Sequence, residues 1–190
     1  MIESMNYPES QRLADLLGIP LHKSCLLRKL RSYGVGTPEK LIALAAQRGC
    51  YHYQTAMVVH HVPTQLCSNE ELAIALLSPN NPYNLRLVRA GAQLLSGEHI
   101  GLERLVREAV KERCGEVLLH VVMAGQRLEP QNPTWNKLSE LISESFKRLK
   151  PVKPGILPAA GRFCVETGFI GRKRMKQVNQ RWLRPIRTES

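Results

Sequence analysis

The chain has 190 residues, 43% of them hydrophobic and 5% aromatic, with a formal net charge of +11 at pH 7. Its length suffices for one domain with a sizeable core, and its apolar content argues against intrinsic disorder. No apolar run of about 18 residues marks a spanning helix, and the first residues lack the basic-then-apolar pattern of a secretory signal.

In chain order, Leu13, Leu16 and Leu17 open a helical stripe that Gly18 and Pro20 end. A helix ending near Gly34 follows. Thr37-Pro38 then starts another, with Leu41, Ile42, Leu44 and Ala45 on one face and Gly49 as its stop. Met57–Val62 is apolar on nearly every side and is read as helix. Ser68 and Glu71 have capping-box spacing before a helix that Pro79 stops. Asn81-Pro82 is the expected start of the helix over 85–96, whose Ala90-Gly91-Ala92 centre would let a neighbouring helix approach closely.

Leu102, Leu105, Val106, Ala109 and Val110 form the next stripe, with Arg104, Arg107, Glu108, Lys111 and Glu112 away from it. Gly97, Gly115 and Gly125 read as stops, and the apolar run Val117–Met123 between the last two as helix. Asn132-Pro133 starts a helix carrying Trp135, Leu138, Leu141, Ile142, Phe146 and Leu149. After Lys150, residues Pro151, Pro154, Gly155, Pro158 and Gly161 break any long helix and imply a surface loop or linker. A final helix is expected from Arg172 to Leu183, stopped by Pro185. The sum is an all-α protein. Residues 1–150 form a helical bundle or short stacked-helix array, and 151–190 an irregular basic element packing on it or extending from it.

Glu39–Cys50 aligns without gaps on Glu103–Cys114, with Glu, Leu, Ala and Cys identical, and Leu13–Leu17 resembles Leu72–Leu77. The pattern suggests a helical repeat, which would stack in layers.

The five cysteines, at 25, 50, 67, 114 and 164, are odd in number and show no Cys-x-x-Cys spacing. Reduced, mostly buried thiols in a cytoplasmic protein are expected. Cys50, His52, His60, His61 and Cys67 lie within eighteen residues. Their spacing matches no zinc finger, and adjacent histidines do not easily share one ion, so partly buried histidines are expected rather than a metal site. No cofactor is implied.

Charge is concentrated late. Residues 151–190 carry nine basic and two acidic side chains, a net of +7. Gly171–Arg187 contains Arg172, Lys173, Arg174, Lys176, Arg181, Arg184 and Arg187 with no acid between them. Such clusters bind phosphate backbones by Coulomb attraction and counterion release, with a salt slope of about −6 if all seven made contact. Trp182 would stack on a base or anchor the segment. The alternative is that Val178, Trp182, Leu183 and Ile186 dock it on the core and the cations keep it soluble.

Gly34-Val35-Gly36 between two helices, followed by Thr37-Pro38, resembles the helix-hairpin-helix motif of DNA-binding proteins over some twenty residues. The resemblance implies that the hairpin amides and the following helix N-terminus meet a phosphate, assisted by Lys40, Lys29 and Arg31. The motif's usual proline before the hairpin is absent, and Glu39 would repel an anion. A glycine-rich connection between packed helices is the structural alternative.

Catalytic signatures are missing: there is no Gly-x-Ser-x-Gly, no His-Glu-x-x-His and no phosphate-binding Gly-x-x-x-x-Gly-Lys-Ser/Thr loop, and Asp15 is the only aspartate. His120 and Glu166 are isolated candidates, better read as a core histidine and an ion-pair partner. The expectation is non-enzymatic nucleic-acid binding through Arg172, Lys173, Arg174, Lys176, Arg181, Trp182 and Arg184, with Gly34, Gly36 and Lys40 as a second place. A helical face that binds a protein partner is the alternative.

Overall fold

The computed structural model describes residues 11–53, 64–167 and 179–186. Eight α-helices lie among them: α1 (Leu13–Leu17), α2 (Cys25–Ser32), α3 (Pro38–Gln47), α4 (Asn69–Leu77), α5 (Leu85–Leu95), α6 (Leu102–Lys111), α7 (Gly115–Leu128) and α8 (Pro133–Ser145). Two short strands, β1 (Cys164–Thr167) and β2 (Asn179–Trp182), pair antiparallel. The fold is an all-α helical array with this small ribbon attached. No described helix is long and apolar enough to cross a membrane.

Helix α4 is the hub. Leu72–Leu77 are almost wholly buried, because α2, α3, α5 and α6 cover the helix on its several sides. Its start is the expected capping box: Ser68 Oγ accepts from the Glu71 amide, and the Glu71 carboxylate accepts from the Ser68 amide at 2.8 Å. Its close approach to α5 depends on Gly91, where a Cβ would stand 2.9 Å from Leu77 and 3.2 Å from the Ala73 carbonyl. The small-residue centre of α5 thus does what its composition suggested.

Two caps come from distant carboxylates. Glu70 Oε1 accepts from the Gly101 amide at the start of α6 (2.8 Å), and Glu112 Oε1 from the Leu26 amide in the first turn of α2 (2.9 Å). Each places negative charge at the positive end of a helix. Helices α3 and α6 also end alike. Cys50 donates its amide to Ala45 O and Cys114 to Ala109 O, while Gly49 (φ +93°) and Arg113 (φ +49°) take the left-handed turn. Both cysteines are fully buried.

Several local expectations are corrected. Asn81-Pro82 starts no helix: Asn81 is buried and donates its side-chain amide to Ala75 O at the end of α4, and Pro82 pairs with Arg12 in a bridge. Asn84 caps α5 instead, accepting from the Arg86 amide. Gly115 is the first residue of α7 rather than a stop, and Gly125 lies inside that helix beneath the Trp135 ring. The apolar run Val117–Met123 is helical within α7, because α8 and the later loop cover it; Met57–Val62 lies outside the described residues. Val110, placed on the apolar stripe of α6, is 43% exposed. The cysteines are free; Cys25 is exposed on the first turn of α2, not buried.

The largest correction concerns the end of the chain. The helix expected over Arg172–Leu183 does not form at 179–182, which is strand β2 in register with β1 (Cys164↔Trp182, Thr167↔Asn179); residues 172–178 lie outside the described residues. The proline-rich stretch after Lys150 crosses the helices and is tied to them. Tyr83 Oη donates to Ile156 O (2.9 Å), His120 Nε2 lies 2.9 Å from Pro158 O, and Arg89 Nε donates to Arg162 O (2.9 Å).

Candidate nucleic-acid interface

The late segment is built into the core through Trp182. Its ring is 1% exposed, stacks on Phe163 at 5.2 Å between centroids, and tilts against Trp135 at 4.7 Å. Its Nε1–H points to Ala92 O at 3.4 Å. Burying an indole of this size supplies a large apolar contribution. Of the two roles considered for Trp182, anchoring is the one seen. Base stacking is corrected, because the residue is buried at 1% exposure.

Beyond the tryptophan the chain continues along α5 and α3. Ser96 Oγ donates to Leu183 O (3.1 Å) and Gln93 Nε2 to Arg184 O (3.0 Å), and the Ile186 amide donates to Gly49 O (2.9 Å). Arg184 turns inward to Glu129, with Nη2 at 2.9 and 2.7 Å from the two carboxylate oxygens. The ion pair ties Arg184 to the core, with its side chain 35% exposed. Burial acts to raise the Glu129 carboxyl, but hydrogen bonds from Asn132, Trp135 and Arg184 outweigh it and hold the group below its ordinary value.

Arg181, on β2 opposite Val165, is exposed, as is Arg162 in the short 3₁₀ turn Ala160–Phe163 that leads into β1. Arg89 of α5 lies beside them through its bond to Arg162 O, with its guanidinium 4.7 Å over the Tyr53 ring. Arg162 and Arg89 were not foreseen, because their nearness to the late cations is a product of chain crossing. Arg172, Lys173, Arg174 and Lys176 lie outside the described residues. They occupy the eleven-residue connection between the paired ends Thr167 and Asn179.

The Gly34–Gly36 turn lies elsewhere. It precedes α3, whereas the Gly49–Ile186 contact follows it, so the two ends are about 15 Å apart along the ten-residue helix. The Gly34 and Val35 amides donate to Arg31 O and Leu30 O, both at 2.9 Å, and Val35 is buried. The amide-to-phosphate contact implied by the hairpin resemblance is thereby corrected at these two positions, since closing α2 consumes both donors. Lys40 Nζ donates to Gly34 O (2.7 Å), and a Cβ on Gly36 would overlap the stem of Arg31.

The other candidates separate. His52 is exposed, Cys50 is buried with its thiol pushed up to about 12 by burial, and Cys67 lies against Arg48; His60 and His61 lie outside the described residues. Among the described residues no three His, Cys, Asp or Glu side chains are grouped to hold a metal. His120 faces Pro158 O and the Phe163 edge, which suits a structural donor. The Glu166 side chain lies outside the described residues. A cleft of about 520 Å³ opens between α1 and the 148–156 stretch, and Asp15, Glu116, Arg148, Lys150 and Lys153 are among the residues that line it.

Comparison of the chain with protein-family models, with curated proteins and with solved structures finds no match.

Proposed function

We propose that this protein binds nucleic acid, without catalysis, through the basic segment near its C-terminal end. The observation that carries the reading is the pairing of Thr167 with Asn179. It bounds a connection bearing Arg172, Lys173, Arg174 and Lys176 and no acidic residue. Exposed Arg162 and Arg181 flank the same ribbon. The burial of Trp182 supports the reading by holding the root of that connection on a rigid core, which reduces the entropy lost on binding. Phosphate contact supplies affinity here, and nothing in the arrangement favours one base sequence.

The test is fluorescence anisotropy with a labelled oligonucleotide across a salt series. Binding that weakens with a log–log slope of about −3.5 to −4.5 is expected if Arg172, Lys173, Arg174, Lys176 and Arg181 meet phosphates. The combined variant R172A/K173A/R174A should lose most of the affinity. Absence of binding at low salt rejects the function, and binding indifferent to that variant rejects the C-terminal segment as its site.

A further inference from the structure

We infer that the α2–α3 corner is a stacking platform for an unpaired base, so that the preferred ligand is single-stranded nucleic acid. This rests on the nucleic-acid reading above but uses a different surface. Residues 23–40 contain Lys23, Arg28, Lys29, Arg31 and Lys40 against one acid, Glu39. Lys29 is engaged by Glu71 at 3.0 Å. Lys23, Arg28 and Arg31 are exposed, and none is among the cations bridged to a carboxylate in the described structure. Tyr33 stands in the middle of this charge, 58% exposed.

The turn brings these groups together. The Arg31 stem lies against Gly36, and Lys40 Nζ is pinned on Gly34 O, so both side chains lie against the residues that follow Tyr33. Arg28 sits one helical turn before Arg31 on the same face. An exposed aromatic ring with cations near it in the same corner is an arrangement that holds a single strand: the ring stacks on a base and the cations hold phosphates. In a duplex the bases are stacked on one another and present no free face to Tyr33. A polyanionic protein would use the cations but gain nothing from stacking.

The experiment compares a single-stranded oligonucleotide of about 12 nucleotides with the duplex of the same sequence and with polyglutamate, by anisotropy and competition, using the full chain. Tyr33→Ala should weaken single-strand binding about 5- to 150-fold, and Tyr33→Phe should restore it. R28A/R31A should lower the single-strand salt slope by about 1.4. Circular dichroism confirms that these exposed substitutions leave the fold intact. Unchanged single-strand affinity in Tyr33→Ala overturns the platform, as does a duplex or polyglutamate bound with the same dependence on Tyr33, Arg28 and Arg31. If Tyr33→Ala weakens binding while R172A/K173A/R174A does not, the platform stands and the C-terminal reading falls. The reverse pattern sinks only the platform.

Discussion

Trp135 Nε1 and Arg184 Nη2 both donate to Glu129 Oε2, at 3.1 and 2.7 Å, so one carboxylate ties the top of α8 to the last described turn of the chain. The Trp135 ring is 1% exposed, and removing its acceptor leaves an indole N–H with no partner in the core. Glu129→Ala should therefore cost about 2–3 kcal/mol, discounted at the partly exposed arginine. Urea denaturation measures it, and a loss below about 0.5 kcal/mol would show the network to be incidental.

The same carboxylate predicts a pH dependence. Glu70, Glu71 and Glu129 each sit below their ordinary value of 4.5, because hydrogen bonds and cations outweigh burial. A group depressed in the folded state stabilises fully above its unfolded value and loses that contribution as pH falls through its folded one. Stability should thus decline as pH drops below about 4.5, and Glu129→Gln should flatten part of that decline. Urea midpoints measured from pH 6 downward, within the ordinary carboxylate titration range, show whether the two curves converge.

Gly49 and Gly125 are places where backbone or ring touches bare Cα. A Cβ at Gly49 would overlap the Ile186 carbonyl, and φ is +93°. At Gly125 a Cβ would overlap the Trp135 ring. Alanine at either should destabilise by about 2–3 kcal/mol or more, whereas Gly155→Ala, with open space around it, should cost only the strain of its positive φ, about 1 kcal/mol. Thermal melts of the three variants rank them, and equal losses would contradict the packing described.

Trp182→Ala should cost about 3–5 kcal/mol, because it empties a site between Phe163 and Trp135. Oligonucleotide binding should leave the emission of the wild-type tryptophans unquenched, since both rings are 1% exposed. Quenching on titration would mean that Trp182 reaches a base.

The thiols give a further reading of burial. Cys25 is exposed and should react first with a disulfide reagent, with half-buried Cys164 following. Cys50, raised to about 12 by burial, and fully buried Cys114 should react only on unfolding. Mass spectrometry of the labelled native protein distinguishes the order.

Local chemistry made much of the helical array legible in advance. Thr37-Pro38, Ser68–Glu71 and Asn132-Pro133 start helices because a capping oxygen three residues or fewer from the orphan amides acts within one turn. The same signal misled at Asn81-Pro82, where the buried side chain found a better partner in Ala75 O. Gly125 read as a stop because nothing local reveals that a tryptophan from the next helix needs the space.

By itself the sequence determined the helical class, most of the starts and stops, and the excess of positive charge after residue 150, because caps, apolar periodicity and charge all act over a few residues. Tertiary structure alone decided that Asn179–Trp182 is a strand, that Trp182 is an anchor, that Arg184 answers Glu129, and that Arg162 and Arg89 join the basic ribbon. Each of those depends on partners 12 to 90 residues away in the chain, whose meeting is settled by core packing and by the need to pair buried polar groups.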